Sequence, residues 1–235
     1  MEKVTVVDAV MGSGKTSWAF DYIDGSPTDR KFIYITPFLD EVERVKKSVK
    51  NRSFIEPNNA NSEGRKLRSL KELIAAGHDI CATHSLFQAA DDELIDLLEG
   101  AEYTLILDEV MNVIEAANIK DSDIKTLFKA GHIGVVGNQV RWIGDDYLDG
   151  RFNDIKLIAK AGNLFQHRGK YLIRSFPSRV FKAFRGVIVM TYLFDAQIQR
   201  YYYDFHNIQY VYKSVKRKGE RYVLTDYDRQ LEHRE

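Results

Sequence analysis

An α/β fold built on a mainly parallel sheet is what the 235-residue sequence predicts. Three observations predict it. Short β-branched and aliphatic runs alternate with amphipathic stretches along the first two hundred residues. Those runs are nearly all apolar, as strands covered on both faces should be, instead of alternating. The first run also leads directly into a glycine-rich turn that opens a helical stretch.

The first strand is expected at KVTVVDA (3–9) and the first helix at TSWAFDYI (16–23). A second strand follows at KFIYIT (31–36), then a helix at FLDEVERVKKSVK (38–50), whose apolar positions recur at helical spacing. HDICAT (78–83) reads as the third strand, and DDELIDLLEG (91–100) as a helix stopped by Gly100. YTLILD (103–108) is the fourth strand and GVIVMT (186–191) the last core strand.

About eighty residues separate those last two strands, too many for one crossover helix. DSDIKTLFKAG (121–131) reads as a helix capped by Asp121 or Ser122. Residues 137–177 are rich in turns and aromatics and are expected to form a β-rich insertion. The expected organisation is one domain over 1–200 carrying that insertion, then a tail over 201–235. The tail is tyrosine-rich and then basic, and reads either as a final strand pair or as the start of a truncated second domain.

Formal net charge is zero, but residues 1–130 carry 16 Lys/Arg against 23 Asp/Glu, and residues 131–235 carry 18 against 11. A basic half suits a polyanionic partner, and uneven sampling of an ordinary surface is the plain alternative. The single cysteine, Cys81, excludes a disulfide framework or a cysteine zinc cluster. No run of eighteen apolar residues and no signal-peptide pattern is present, so no membrane partner and a cytoplasmic location are expected. For a viral or phage protein that location is the host cytoplasm.

The turn Ala9-Val-Met11-Gly12-Ser13-Gly14-Lys15-Thr16-Ser17 has the strand–turn–helix context of a phosphate-binding loop. Glycines at 12 and 14 allow consecutive amides to point inward at phosphate oxygens, and the helix N-terminus adds partial positive charge. Lys15 is expected on the β- and γ-phosphates of a bound nucleotide and the Thr16 hydroxyl on Mg²⁺. Ala9 stands where the strict pattern has glycine.

TLILDEV (104–110) is an apolar strand ending in two acids, which places both at the carboxyl edge of the sheet. Asp108 is expected to hold Mg²⁺ through water, and Glu109 to orient or deprotonate an attacking water. Lys15 and Glu109 are thus the catalytic candidates.

Together these motifs resemble those of the superfamily 2 helicases and translocases, specifically their first RecA-like domain. Ala9-x-x-Gly12-x-Gly14-Lys15-Thr16 is similar to motif I, and Asp108-Glu109-Val110-Met111 stands where the family has its Asp-Glu-x-x box. YITPFLDEVERV (34–45), CATHSLF (81–87) and VMTYLF (189–194) resemble motif Ia, the next nucleic-acid-facing motif and motif III. MGSGKT with LDEVMNVI is similar to the viral origin-binding-protein and phage helicase-like branch.

The resemblance implies a RecA-like P-loop NTPase domain that hydrolyses ATP with Mg²⁺ to move on or remodel nucleic acid, DNA more than RNA, single-stranded or duplex. It implies nucleic-acid contacts from Thr36, Pro37, Thr83 and His84, and coupling of the two sites through Thr191. It also implies a second RecA-like domain, in cis or in trans, that supplies arginine fingers. In the insertion, Arg141 and Trp142 begin a basic, aromatic run suited to stacking bases and holding phosphates, or else to forming a small core of its own.

Two other readings fit a phosphate loop in a chain of this length. One is a nucleotide or nucleoside kinase, with arginines at 168, 174 and 179 as lid candidates. The other is a non-hydrolysing switch in which nucleotide orders a nucleic-acid-binding surface.

Overall fold

The computed structural model describes residues 3–144, 147 and 150–227. In chain order it begins β1 (Val4–Asp8), α1 (Lys15–Asp24), β2 (Phe32–Thr36), α2 (Leu39–Ser48), β3 (Phe54–Ile55) and α3 (Lys66–Ala75). Next come β4 (Asp79–Thr83), α4 (His84–Phe87), α5 (Asp92–Ala101), β5 (Thr104–Asp108), β6 (Ile114–Ala116) and α6 (Asp121–Lys129). There follow β7 (Ile133–Val136), β8 (Gln139–Trp142), α7 (Asn153–Lys160), β9 (Leu164–His167), β10 (Tyr171–Ser175) and α8 (Ser178–Lys182). The order closes with β11 (Gly186–Thr191), a 3-10 turn (Phe194–Ala196), α9 (Ile198–Phe205), β12 (Tyr210–Lys218) and β13 (Arg221–Asp226).

Two compact units result: the chain through Met111 joined by the chain from Ser178, and Asn112–Pro177. The first unit holds an eight-stranded sheet in the order β13-β12-β1-β11-β5-β2-β4-β3. Every pairing in it is parallel except the β12–β13 hairpin. The expected α/β class with a mainly parallel sheet is therefore the observed one. All five expected core strands form, and β2 and β5 are buried along their whole length, which is why their sequences carry no alternation. Under α1 and α2, Trp18, Ile23, Phe32, Tyr34, Val42 and Ile106 form one continuous core.

The second unit is the expected β-rich insertion between the acidic motif and the last core strand. Its antiparallel sheet runs β6-β10-β9-β8-β7 and packs with α6 and α7 around Ile124, Leu127, Val140, Leu164 and Leu172. It begins at Asn112, well before the expected 137. The reason is long-range: β6 pairs with β10 nearly sixty residues later, Ile114 opposite Ser175.

Beyond residue 200 the chain follows the strand-pair reading. Val4 to Val7 of β1 pair in parallel with Tyr210 to Lys213, so β12 and β13 extend the first sheet. Residues 228–235 of the expected tail lie outside the described residues.

Two helix ends also differ. Helix α5 runs through Gly100 to Ala101 and stops on Glu102, which takes the left-handed conformation (φ 51°) that a terminating glycine would otherwise supply. Helix α6 starts at Asp121 with Lys120 before it and no side-chain cap, so Asp121 serves the helix dipole from its first turn. Among the described residues no helix is long and apolar enough to cross a membrane.

Candidate active site

Five adjacent strands of the first sheet end on polar residues at one edge. Across the sheet these are Asp8 of β1, Thr191 of β11, Asp108 of β5, Thr36 of β2 and Thr83 of β4. Asp8 is in register with Thr191, Met190 with Asp108, and Thr36 with Thr83, so the row is level. Parallel strands all present their carboxyl ends on this side, the side on which ligands bind open α/β sheets.

The glycine-rich turn lies at this edge. Gly12 and Gly14 both take positive φ (79° and 94°), a conformation that costs side-chain-bearing residues energy. The Ala9 amide donates to the Thr191 carbonyl at 3.1 Å, tying the turn to the neighbouring strand. Ala9 is buried, so the position where the strict motif has glycine is tightly packed here. Gly14 is the N-cap of α1 and no side chain caps that helix, which leaves the amides of Lys15, Thr16 and Ser17 facing the turn.

Lys15 is 8% exposed, and its ammonium donates to the Ala9 carbonyl at 2.6 Å and the Val10 carbonyl at 3.2 Å. Burial lowers its pKa, while Glu109, Asp108 and Asp8 act to raise it. Thr16 is half-buried and Ser17 exposed on the first turn of α1. The Ser13 hydroxyl is buried without a hydrogen-bond partner, a cost that a phosphate oxygen in the loop would relieve. The Met11 side chain is 91% exposed, which leaves its backbone as its contribution to the turn.

Asp108 is buried and its Oδ2 accepts a 2.8 Å hydrogen bond from the Tyr34 hydroxyl. Burial pushes its pKa up to about 6; the Tyr34 bond pulls it down and the Glu109 charge pushes it up. A divalent cation beside this carboxylate would reverse that preference for the proton. Among the described residues no group of three or more His, Cys, Asp or Glu side chains is gathered to cage a metal. One carboxylate and one hydroxyl suit Mg²⁺, which takes its remaining ligands from water and substrate phosphates.

Glu109 takes a left-handed backbone (φ 61°), which costs a non-glycine residue on the order of 1–3 kcal/mol. Its amide donates to the Met190 carbonyl at 2.9 Å, and its Oε2 accepts from the Thr191 hydroxyl at 2.9 Å. That turn brings the carboxylate out of the strand line and leaves Glu109 exposed. Thr191 thus touches both candidate motifs: its carbonyl holds Ala9 and its hydroxyl holds Glu109.

The expected nucleic-acid contacts fare differently. Thr36 is fully buried and its hydroxyl lacks a hydrogen-bond partner, so it offers no surface contact; β2 carries it into the interior. Pro37 and Thr83 are half-buried at the same edge. His84 places Nε2 3.0 Å from the Asp108 carbonyl, an acceptor that requires the ring N–H on that nitrogen. Burial lowers the His84 pKa, so a neutral imidazole props the acidic strand end.

In the second unit, Trp142 is committed to the insertion's own packing. Its ring stacks on His132 at 5.7 Å, meets Tyr147 edge-on at 5.3 Å, and its Nε1 donates to the Gly144 carbonyl. Arg141 remains exposed and lines a pocket of about 350 Å³ with Gln139 and Lys160.

Three site residues escaped the sequence reading. Asp8, buried, accepts from the Leu193 and Phe194 amides at 2.8 and 3.0 Å, and burial raises its pKa. Tyr34 orients Asp108. Gln199 accepts from the Met111 amide at 2.9 Å and donates to the Tyr203 hydroxyl, anchoring the chain after Glu109. An acid closing an apolar strand before a phosphate turn was a readable signal for Asp8; Gln199 gives none locally.

Comparison with known proteins adds relatives of little stated function. A family model described as the YonV middle domain matches residues 114–174, which fall within the second unit. Over 99% of its length the chain is 39% identical to the "SPbeta prophage-derived uncharacterized protein YonV" of Bacillus subtilis (strain 168), across 241 aligned residues. A solved structure of XPD in the apo state is similar over 90% of this chain and 55% of its own, with a TM-score of 0.45 and 15% identity. The chain spans 59% of the length of the prophage protein it matches.

Proposed function

We propose that this chain is an ATP-binding motor domain of the helicase or translocase type, with Mg²⁺ as cofactor and nucleic acid as partner. The observation that carries the reading is the Glu109 carboxylate, turned out of β5 and held by the Thr191 hydroxyl of the strand that also binds the phosphate-type loop. A loop that only bound phosphate would have no use for a carboxylate kept there at a conformational cost.

In this reading the loop amides and Lys15 take the phosphates, and Lys15 exchanges two backbone carbonyls for phosphate oxygens. Thr16 and Asp108 hold Mg²⁺, which supplies charge neutralisation at the phosphates. Glu109 orients the attacking water and accepts its proton. A second RecA-like domain, in cis or in trans, supplies an arginine finger, whose loss commonly costs ~10³–10⁵ in rate.

Phosphate release from ATP, measured with and without single-stranded DNA or RNA, tests this with Lys15→Ala as the blank. Stimulation by nucleic acid that vanishes in Lys15→Ala is the expected result. Release that nucleic acid never changes counts against a motor. Phosphate found on a nucleoside acceptor instead of water turns the assignment to a kinase. Thr191→Val, which keeps the shape and removes the donor, is expected to lower turnover about tenfold, the scale of one hydrogen bond to a charged group. Unchanged turnover removes Thr191 from the mechanism.

A further inference from the structure

The basic segment after residue 210 has found its place in the β12–β13 hairpin, and that hairpin touches both the end of β1 and the loop that follows it. Strand β12 pairs with β1 up to Val7–Lys213, one residue short of Asp8, and the Ser214 hydroxyl lies 3.4 Å from the Asp8 carbonyl. From β13 the ring of Tyr222 packs on Gly14 so closely that a Cβ there would lie 2.1–2.5 Å from three of its carbons. Gly14 is therefore required twice, for its φ of 94° and for this contact. Any shift of the hairpin is felt at the N-cap of α1, where the loop amides start.

The far end of the same hairpin is rich in basic residues. Lys216, Arg217, Lys218 and Arg221 are all exposed, with Glu220 the one acid between them. Lys213, nearer the sheet, is ion-paired with Asp226 at 2.7 Å. None of the four outer cations has an ion-pair partner among the described residues. Lys218 stands directly opposite Arg221 across the strands, a like-charge pairing that destabilises a hairpin unless an anion lies over it. Arg217 is directly opposite Tyr222, on the same face of the hairpin as the ring that touches Gly14.

We propose that the β12–β13 hairpin grips the phosphate backbone of a nucleic-acid strand, and that Tyr222 on Gly14 transmits this occupancy to the nucleotide loop. The proposal rests on the reading of that loop as a nucleotide site coupled to nucleic acid. It adds where the strand is held and through which contact the two sites communicate. A backbone grip by lysines and arginines positions a strand without reading its sequence and weakens steeply with salt.

The test is the fluorescence anisotropy of a labelled twenty-nucleotide oligo(dT) with the full chain, with and without Mg²⁺ and a non-hydrolysable ATP analogue, over a range of salt. The triple variant Lys216→Glu, Lys218→Glu, Arg221→Glu is expected to bind the oligonucleotide at least tenfold more weakly. Its salt slope should fall by about two, the value for three lost contacts to a single strand, with nucleotide affinity unchanged. Tyr222→Leu is expected to keep oligonucleotide affinity within about twofold but to lose the change that nucleotide causes, and Tyr222→Phe to behave as the parent. Melting curves identify a variant that fails to fold, and the triple variant alters only exposed positions.

A triple variant that binds like the parent at every salt overturns the hairpin as the grip and leaves the motor reading standing. A full nucleotide response in Tyr222→Leu overturns the route through Gly14. A parent chain that binds no oligonucleotide at low salt overturns this proposal and the nucleic-acid part of the motor reading together.

Discussion

Glu109→Gln is expected to lower steady-state phosphate release by ~10³-fold, within the usual range for removing a general base, while leaving ATP affinity within about threefold. The amide keeps the size of the carboxylate and an oxygen able to accept the Thr191 hydroxyl, so the 2.9 Å contact and the turn at φ 61° persist. Proton affinity is what goes. Lys15→Ala provides the contrast, because it removes a phosphate ligand and should weaken nucleotide binding together with turnover. A Glu109→Gln protein that turns over at the parent rate would remove hydrolysis from the site and favour the switch. A variant that loses binding as well would show Glu109 to be part of the loop's architecture instead of its chemistry.

Asp108→Asn has two expected consequences of opposite sign. The variant loses the Mg²⁺ dependence of nucleotide binding, since an amide oxygen carries no charge for the cation. In the metal-free state it gains stability at neutral pH. The sign follows from burial: the folded Asp108 pKa stands at about 6 against 3.8 for the unconstrained group, so the folded form binds the proton more tightly. Stability is then highest below pH 4 and falls as pH rises through the interval to 6, and the full cost is present at pH 7.5.

A shift of that size is worth about 2–3 kcal/mol, or about 4–10 °C in melting temperature for a chain of this length. With EDTA present, Asp108→Asn should melt above the parent at pH 7.5, and the gap should close towards pH 4.5. Equal melting temperatures at both pH values would mean that the carboxylate is solvated and makes a poor candidate for a cation ligand.

The edge of the sheet that carries the candidate site was legible because its motifs are local. Gly12, Gly14 and Lys15 fall within four consecutive positions, and Asp108-Glu109 follows a run of five buried residues, Tyr103 to Leu107. Strand positions were legible for the same reason, since full burial leaves an unbroken apolar signature. What stayed hidden depends on distant partners. Ile114–Ala116 is three exposed residues with no pattern of its own, and only its pairing with β10 makes it a strand and moves the start of the insertion to Asn112. Tyr210–Lys218 could be read as a strand, but nothing in it names β1 as its neighbour. Thr36 and His84 sit in recognisable motifs, yet their side chains turn inward, and burial is a tertiary property.

The pairing of β1 sets a schedule for making the protein. Thr5 finds its partners at Ile188 on one side and Val211 on the other. At about 5–20 residues per second of synthesis, on the order of ten to forty seconds pass before the first of those partners leaves the ribosome. During that interval the Gly12–Lys15 segment has no sheet behind it and no Tyr222 against it, and cannot assume the conformation that presents its amides. The loop therefore gains its full set of neighbours only in chains translated past residue 222.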